Sequence, residues 1–218
     1  MSAASRAATA GSGTAAPLIP DHPSIDELRE AAATCQACPL WAGATQTVFG
    51  DGPQEARLVL VGEQPGDEED IAGLPFVGPA GRLLRRALAD AGIDEASVYV
   101  TNAVKHFKWV AKGKKRIHSK PSGREIRACK PWLSAEVEAL SPAVIVALGA
   151  TAAQSLLGAG FKITQHLGEL LPYDGRVVIV PALHPSAVLR SPDDEARRAN
   201  YDGLVHALGV AATRARAG

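Results

Sequence analysis

Three features of this sequence predict an α/β fold: one three-layer αβα domain around a central, mostly parallel sheet of four strands. Short apolar runs recur at residues 57–61 (RLVLV), 97–104 (SVYVTNAV), 143–148 (AVIVAL) and 176–181 (RVVIVP). Helical patterns lie between them. The runs are apolar almost without a break, which is what strands covered on both faces of a parallel sheet require. The chain has 218 residues, 46% of them hydrophobic, enough for one sizeable core. No internal repeat divides it, and the domain is expected over residues 21–218.

The elements follow in order. Residues 1–20 are small, polar and low in complexity and are expected to be a disordered tail. A single Arg6 and the lack of an apolar core argue against a signal peptide there. Residues 23–37 read as a short helix with Ser24 as N-cap and Ile25, Leu28, Ala31 and Ala32 at helical spacing. It delivers Cys35 and Cys38 at its C-terminal end. The first strand ends in Gly62-Glu63-Gln64-Pro65-Gly66, and ligands bind at such strand ends in open α/β sheets. An acidic loop follows, then Leu74-Pro75-Phe76-Val77-Gly78-Pro79. A helix over 80–91 carries Leu83, Leu84, Ala87, Leu88 and Ala91 on one face, and Gly92 ends it. After the second strand a long basic loop leads to a helix that Ser122 and Glu125 start as a capping box. The third strand, a helix over 150–157 closed by Gly158, the fourth strand, the segment 183–190 and a final helix over 192–210 complete the chain.

Charge is uneven. Lys and Arg number 23 against 23 Asp and Glu, which excludes a globally basic nucleic-acid coat. Yet residues 103–131 carry ten positive charges and one negative, Glu125. Phe107 and Trp109 are interleaved among them, the pattern of a segment that tracks phosphates. No apolar run approaches the roughly 20 residues that span a bilayer, so no membrane partner is expected; the protein is expected to be cytoplasmic, nucleoid-associated when on DNA, and monomeric. Three cysteines are an odd number and argue against a disulfide framework.

Several constellations could carry chemistry. Cys35-x-x-Cys38 closes a helix and precedes Pro39, whereas a thioredoxin-type dithiol opens one. His106 and Cys129 are further ligand types, and three thiolates with one imidazole suit tetrahedral zinc or an iron–sulfur cluster. Spacing leaves that choice open and the residues alone favour zinc. A Cys129 that is merely buried beside a surface His106 is the plain alternative. The 62–66 loop matches neither common phosphate-binding loop and presents Glu63 and Gln64 at a strand end. Phe76, framed by proline and glycine, is either a core residue or a stacking surface for a flat ring. Asn102 at a strand end offers a donor and an acceptor, as reading a base edge requires. His184 ends the last strand. His118 lies mid-loop, 12 residues from His106 and 11 from Cys129.

Together these motifs resemble the uracil-DNA glycosylase superfamily, near its iron–sulfur family 4 members. The resemblance covers residues 35–190 and rests on GE-x-PG (62–66), LPFVGPAG (74–81), Thr101-Asn102 and HPS-x-x-x-R (184–190). Family 4 enzymes carry four cysteines, whereas His106 stands here where the third is expected. The segment Lys114-Lys115-Arg116-Ile117-His118 is not a family 4 feature. Both departures point to the UdgX subgroup, known chiefly from mycobacteria and related bacteria, which bonds covalently to the DNA it acts on.

The resemblance implies a [4Fe-4S] cluster on Cys35, Cys38, His106 and Cys129. It implies that Phe76 stacks on uracil, Asn102 reads its polar edge and His184 lies against a carbonyl. It makes His118 the nucleophile, oriented by Glu63, with Gln64 in the same catalytic loop. Lys114, Lys115, Arg116, Ser186 and Arg190 would contact DNA, and Val188 stands where such proteins often have the leucine wedge. The expected activity is excision of uracil from DNA, single strands preferred, with the protein left attached to the abasic site through His118. The alternatives are a hydrolytic, multiple-turnover glycosylase and a non-catalytic nucleic-acid-binding module with a structural metal.

Overall fold

The computed structural model describes residues 13–217. In chain order the elements are α1 (Ile25–Ala32), β1 (Leu58–Gly62), α2 (Asp67–Ala72), α3 (Pro79–Asp90), β2 (Val98–Asn102), β3 (Trp109–Lys112), β4 (Lys115–His118), α4 (Gly123–Leu140), β5 (Val144–Leu148), α5 (Ala150–Leu157), β6 (Leu171–Pro172), β7 (Val178–Ala182), α6 (Pro185–Leu189) and α7 (Asp194–Ala217). The four predicted strands are β2, β1, β5 and β7, side by side in that order and all parallel. A fifth strand, β6, adds an antiparallel edge beside β7. Its two residues are too few to leave a hydrophobic pattern in the sequence.

Side chains alternate across the sheet, so each strand feeds two cores. Val59, Val61, Tyr99, Ile145, Ala147 and Ile179 pack with residues of α1, α4 and α5. Leu58, Leu60, Val98, Val144, Val146 and Val180 pack with residues of α3, α6 and α7. This is the predicted three-layer αβα arrangement. Ser24 and Ser122 cap α1 and α4, and each accepts a backbone hydrogen bond from a glutamate three residues on. Among the described residues no helix is long and apolar enough to cross a membrane.

Three expectations need correction. The acidic loop after β1 is α2, whose first turn holds Asp67, Glu68, Glu69 and Asp70, where negative charge favours a helix start. Six residues without apolar periodicity gave no helical signal. The basic loop contains an antiparallel hairpin, β3–β4, in which Trp109 faces His118 and Val110 faces Ile117. Strands exposed along nearly their whole length lack the apolar alternation that would have marked them. Of the expected tail, residues 1–12 lie outside the described residues, but Ala15 is fully buried and its N–H donates to the Ala128 carbonyl at 2.8 Å. A methyl side chain fits against α4, and composition could not show a docking place so distant in sequence.

Candidate active site

The carboxyl ends of β1, β2, β5 and β7 meet at a cleft of about 740 Å³ whose wall includes Glu63, Phe76, Asn102, His118, Thr151 and His184. Gly62 and Asn102 are paired in register, so both strands stop at the same level. A methyl group at Gly62 would overlap the Asn102 amide oxygen and the Phe76 ring, so the glycine is what lets those side chains converge. Phe76 adopts a left-handed backbone, φ 56°, uncommon for a bulky residue. It is held there by α3, since Gly81 abuts the Phe76 carbonyl with no room for a Cβ. Its ring lies 6.1 Å from that of His184 at 29°, leaving two flat faces on one cleft.

His184 caps α6. The Ser186 N–H donates to its Nδ1 at 3.1 Å, and the Ser186 hydroxyl sits 2.8 Å from the same nitrogen. Nδ1 is therefore an acceptor, and the neutral ring carries its proton on Nε2. Burial pushes the ring's pKa down to about 4 against the pull of Glu63, so it is neutral at physiological pH. Ser186, expected to contact DNA, meets His184 through both its N–H and its hydroxyl.

Glu63 is held from two sides. His118 Nε2 lies 3.3 Å from Oε1. The Thr151 hydroxyl donates to Oε2. Burial pushes the Glu63 carboxyl up, but the bonds from His118 and Thr151 and the charges of His118 and His184 outweigh it and hold it below the usual range. His118 itself is half exposed, at the end of β4.

The hairpin is tied down by residues expected in other roles. Gln64 is buried, and its amide takes the Lys108 N–H at 3.1 Å and donates to the Lys108 and Ser119 carbonyls, both at 3.1 Å. It clamps both feet of the hairpin, and both hydrogens of its amide nitrogen are spent there. Arg116 pairs with Asp67 and with the fully buried Asp70, each at 2.6 Å, and lies over the rings of Phe107 and Trp109. These contacts make it an anchor between the hairpin and α2. Lys105, counted in the basic stretch, is buried and paired with Glu136. Lys114 and Lys115 are exposed on the hairpin, as the DNA reading needs, and Arg190 is exposed at the cleft. Val188 is fully buried, so it cannot act as a wedge. Leu189 beside it is 41% exposed at the cleft.

A profile of the uracil DNA glycosylase superfamily matches residues 49–208. The chain belongs to the uracil-DNA glycosylase superfamily. It is 41% identical over 165 residues, 75% of this chain and 82% of the relative, to the type-4 uracil-DNA glycosylase of Thermotoga maritima. It is 35% identical to the type-4 enzymes of Pyrobaculum aerophilum, over 77% of this chain and 86% of the relative, and of Archaeoglobus fulgidus, over 78% and 85%.

The cluster that likeness to the iron–sulfur branch of the superfamily implies can be weighed on the donors. Cys35 and Cys129 are buried, Cys38 is partly buried, and all three are free thiols. They lie close enough for Cys35 and Cys38 to raise Cys129, which burial already pushes up to about 12. The Lys105 N–H and the Trp132 indole N–H each point at a sulfur, Cys129 and Cys35, at 3.2 Å, the kind of bond a thiolate rewards. His106 Nε2 sits 2.9 Å from the Thr47 hydroxyl, which donates to the Ala32 carbonyl. Nε2 is then the donor, and Nδ1 keeps a lone pair for a metal. Burial holds this ring neutral, with a pKa of about 4. The donors fit a soft metal centre in kind and surroundings. Among the described residues no group of three or more is drawn together as a closed metal shell.

Residues that sequence reasoning missed include Glu69, which takes the N–H groups of Gly66 and Gly78 at 3.1 and 2.8 Å and so ties the two cleft loops together. Asp70 accepts from the Thr45 N–H and hydroxyl as well as from Arg116. Thr151 was hidden within an unremarkable helix. Only the concentration of acidic residues at 67–70 was visible, with no sign that two of them face inward.

Proposed function

We propose that this protein is a uracil-DNA glycosylase that captures the abasic site on His118. The carrying observation is the His118–Glu63 pair, 3.3 Å apart, on a cleft that also holds Phe76, Asn102 and His184. The target nucleotide must leave the base stack, at a cost of a few kcal/mol, unless the strand is already single. Stacking on Phe76 and hydrogen bonds to the Asn102 amide offset that cost. The C1′–N1 bond breaks with its electron pair leaving on uracil, and the neutral Nε2–H of His184 donates to the carbonyl that takes up the charge.

The His118 nitrogen facing Glu63 holds the proton, so the other carries a lone pair toward C1′. A tethered nucleophile of this kind can reach an effective molarity of roughly 10⁵ M or more, enough to outcompete water. Glu63 then stabilises the imidazolium. The imidazole stays bonded at C1′, so the adduct persists. Lys114, Lys115 and Arg190 supply the charge that meets the DNA backbone. Cys35, Cys38 and Cys129, with His106 as fourth ligand, would hold a [4Fe-4S] cluster that fixes both ends of the segment carrying His118. A brown protein containing iron supports that centre, and a colourless one containing zinc removes it.

The test is a denaturing gel of the protein with uracil-containing single-stranded DNA. A slow-migrating adduct is expected, absent in His118→Ser, which should instead turn over with water as nucleophile and release abasic DNA. No adduct, or an equal adduct with His118→Ser, overturns the covalent reading. A second reading, conventional multiple turnover, is favoured by the 41% identity to a relative named a type-4 enzyme. Repeated turnover by the unmutated protein would establish it.

A further inference from the structure

Thr151 is the second residue of α5 and only 2% exposed, yet it lies in the wall of the cleft. Its hydroxyl donates to Glu63 Oε2, while Oε1 is the oxygen that faces His118. The two donors come from different elements: Thr151 follows β5, and His118 ends the hairpin. The terminal torsion of a glutamate is soft and roughly two-fold, so a carboxylate gripped at one oxygen can present either to its partner. Gripped at both, it cannot. A threonine inside a helix usually bonds the carbonyl one turn back. In the first turn of α5 no helical carbonyl precedes it, so the hydroxyl is available to reach outward. The Ser155 hydroxyl donates to the Thr151 carbonyl at 2.8 Å and reinforces that turn.

We propose that Thr151 is a positioning residue, whose hydroxyl fixes the Glu63 carboxylate so that Oε1 stays aimed at His118. The proposal rests on the roles of His118 and Glu63 given above. The hydroxyl also helps to keep Glu63 ionised, the form able to accept the His118 proton.

Thr151→Val is nearly isosteric and removes the donor, while Thr151→Ser keeps it. In the DNA-free protein, carbon-13 NMR of the Glu63 carboxyl should show its titration moved to higher pH in Thr151→Val and restored in Thr151→Ser. The acid limb of the pH profile for single-turnover uracil release should move the same way, by about one pH unit, a loss of about tenfold at a pH on the limb. An unmoved Glu63 titration in Thr151→Val overturns the proposal, as does a Thr151→Ser protein that behaves like Thr151→Val. A titration that moves while the limb stays also overturns it. In that case Glu63→Gln separates the causes: if Glu63→Gln reacts at the unmutated rate, the role of Glu63 itself has failed.

Discussion

His184 accepts the Ser186 N–H at Nδ1 and keeps its own proton on Nε2, so it meets a ligand as a neutral donor. Burial sets that state, with a pKa near 4 instead of the usual 6.5. In the unfolded chain the ring takes up a proton as pH falls through about 6.5, whereas the folded ring waits until about 4. The stability this group contributes is therefore complete above the unfolded value and declines as pH falls between the two. Glu63, held below its ordinary value, runs in the same direction further into acid. Ring NMR of His184 is expected to show no protonation above pH ~5, and a midpoint near 6.5 would count against the part-buried, neutral donor. The identities of His184, Asn102 and Phe76 were legible from the strand-end and Pro/Gly contexts. The hydrogen bond that selects the His184 tautomer depends on the turn into α6 and was not.

The hairpin β3–β4 decides where His118 goes, and three side chains outside the reaction hold it. Gln64 grips both feet, Arg116 joins it to α2, and Trp109 donates its indole N–H to the Gly43 carbonyl at 2.7 Å. Removing Arg116 strands the Asp70 carboxylate, which is fully buried, without its cation. Loss of one partner of a buried ion pair costs about 3 kcal/mol or more. Arg116→Ala should therefore lower stability by about 3 kcal/mol in urea denaturation. Arg116→Lys should recover only part, because an ammonium cannot span Asp67 and Asp70 as a planar guanidinium does. A loss below about 1 kcal/mol, ordinary for a surface ion pair, would show that Arg116 is no anchor. In the sequence this arginine was one more cation in a basic run. Its partners lie 46 and 49 residues away in a helix that had no sequence signature.

Across the molecule the ten positive charges of residues 103–131 divide into groups with different tasks. Lys105, Lys108 and Arg116 are paired with Glu136, Glu125 and the α2 carboxylates, while Lys112, Lys114 and Lys115 face solvent on the hairpin. Salt dependence separates them. Each phosphate contact on single-stranded DNA contributes about 0.7 to the slope of log affinity against log salt. Lys114→Ala and Lys115→Ala should each reduce that slope by about 0.7 with uracil-free single-stranded DNA, measured by fluorescence anisotropy. Arg116→Ala, read at a temperature where it is folded, should leave the slope unchanged, and a matching drop would restore it as a phosphate contact. The sequence by itself determined the αβα architecture, the strand ends as the site and the residue types gathered there. Hydrophobic period and strand-end position are local properties, readable one segment at a time. Only the tertiary structure decided which charges face solvent, that Gln64 clamps the hairpin, that Val188 is core while Leu189 is exposed, and that Thr151 grips Glu63. Each of those depends on a partner from another element, brought within hydrogen-bond or packing distance only when the sheet and its helices close.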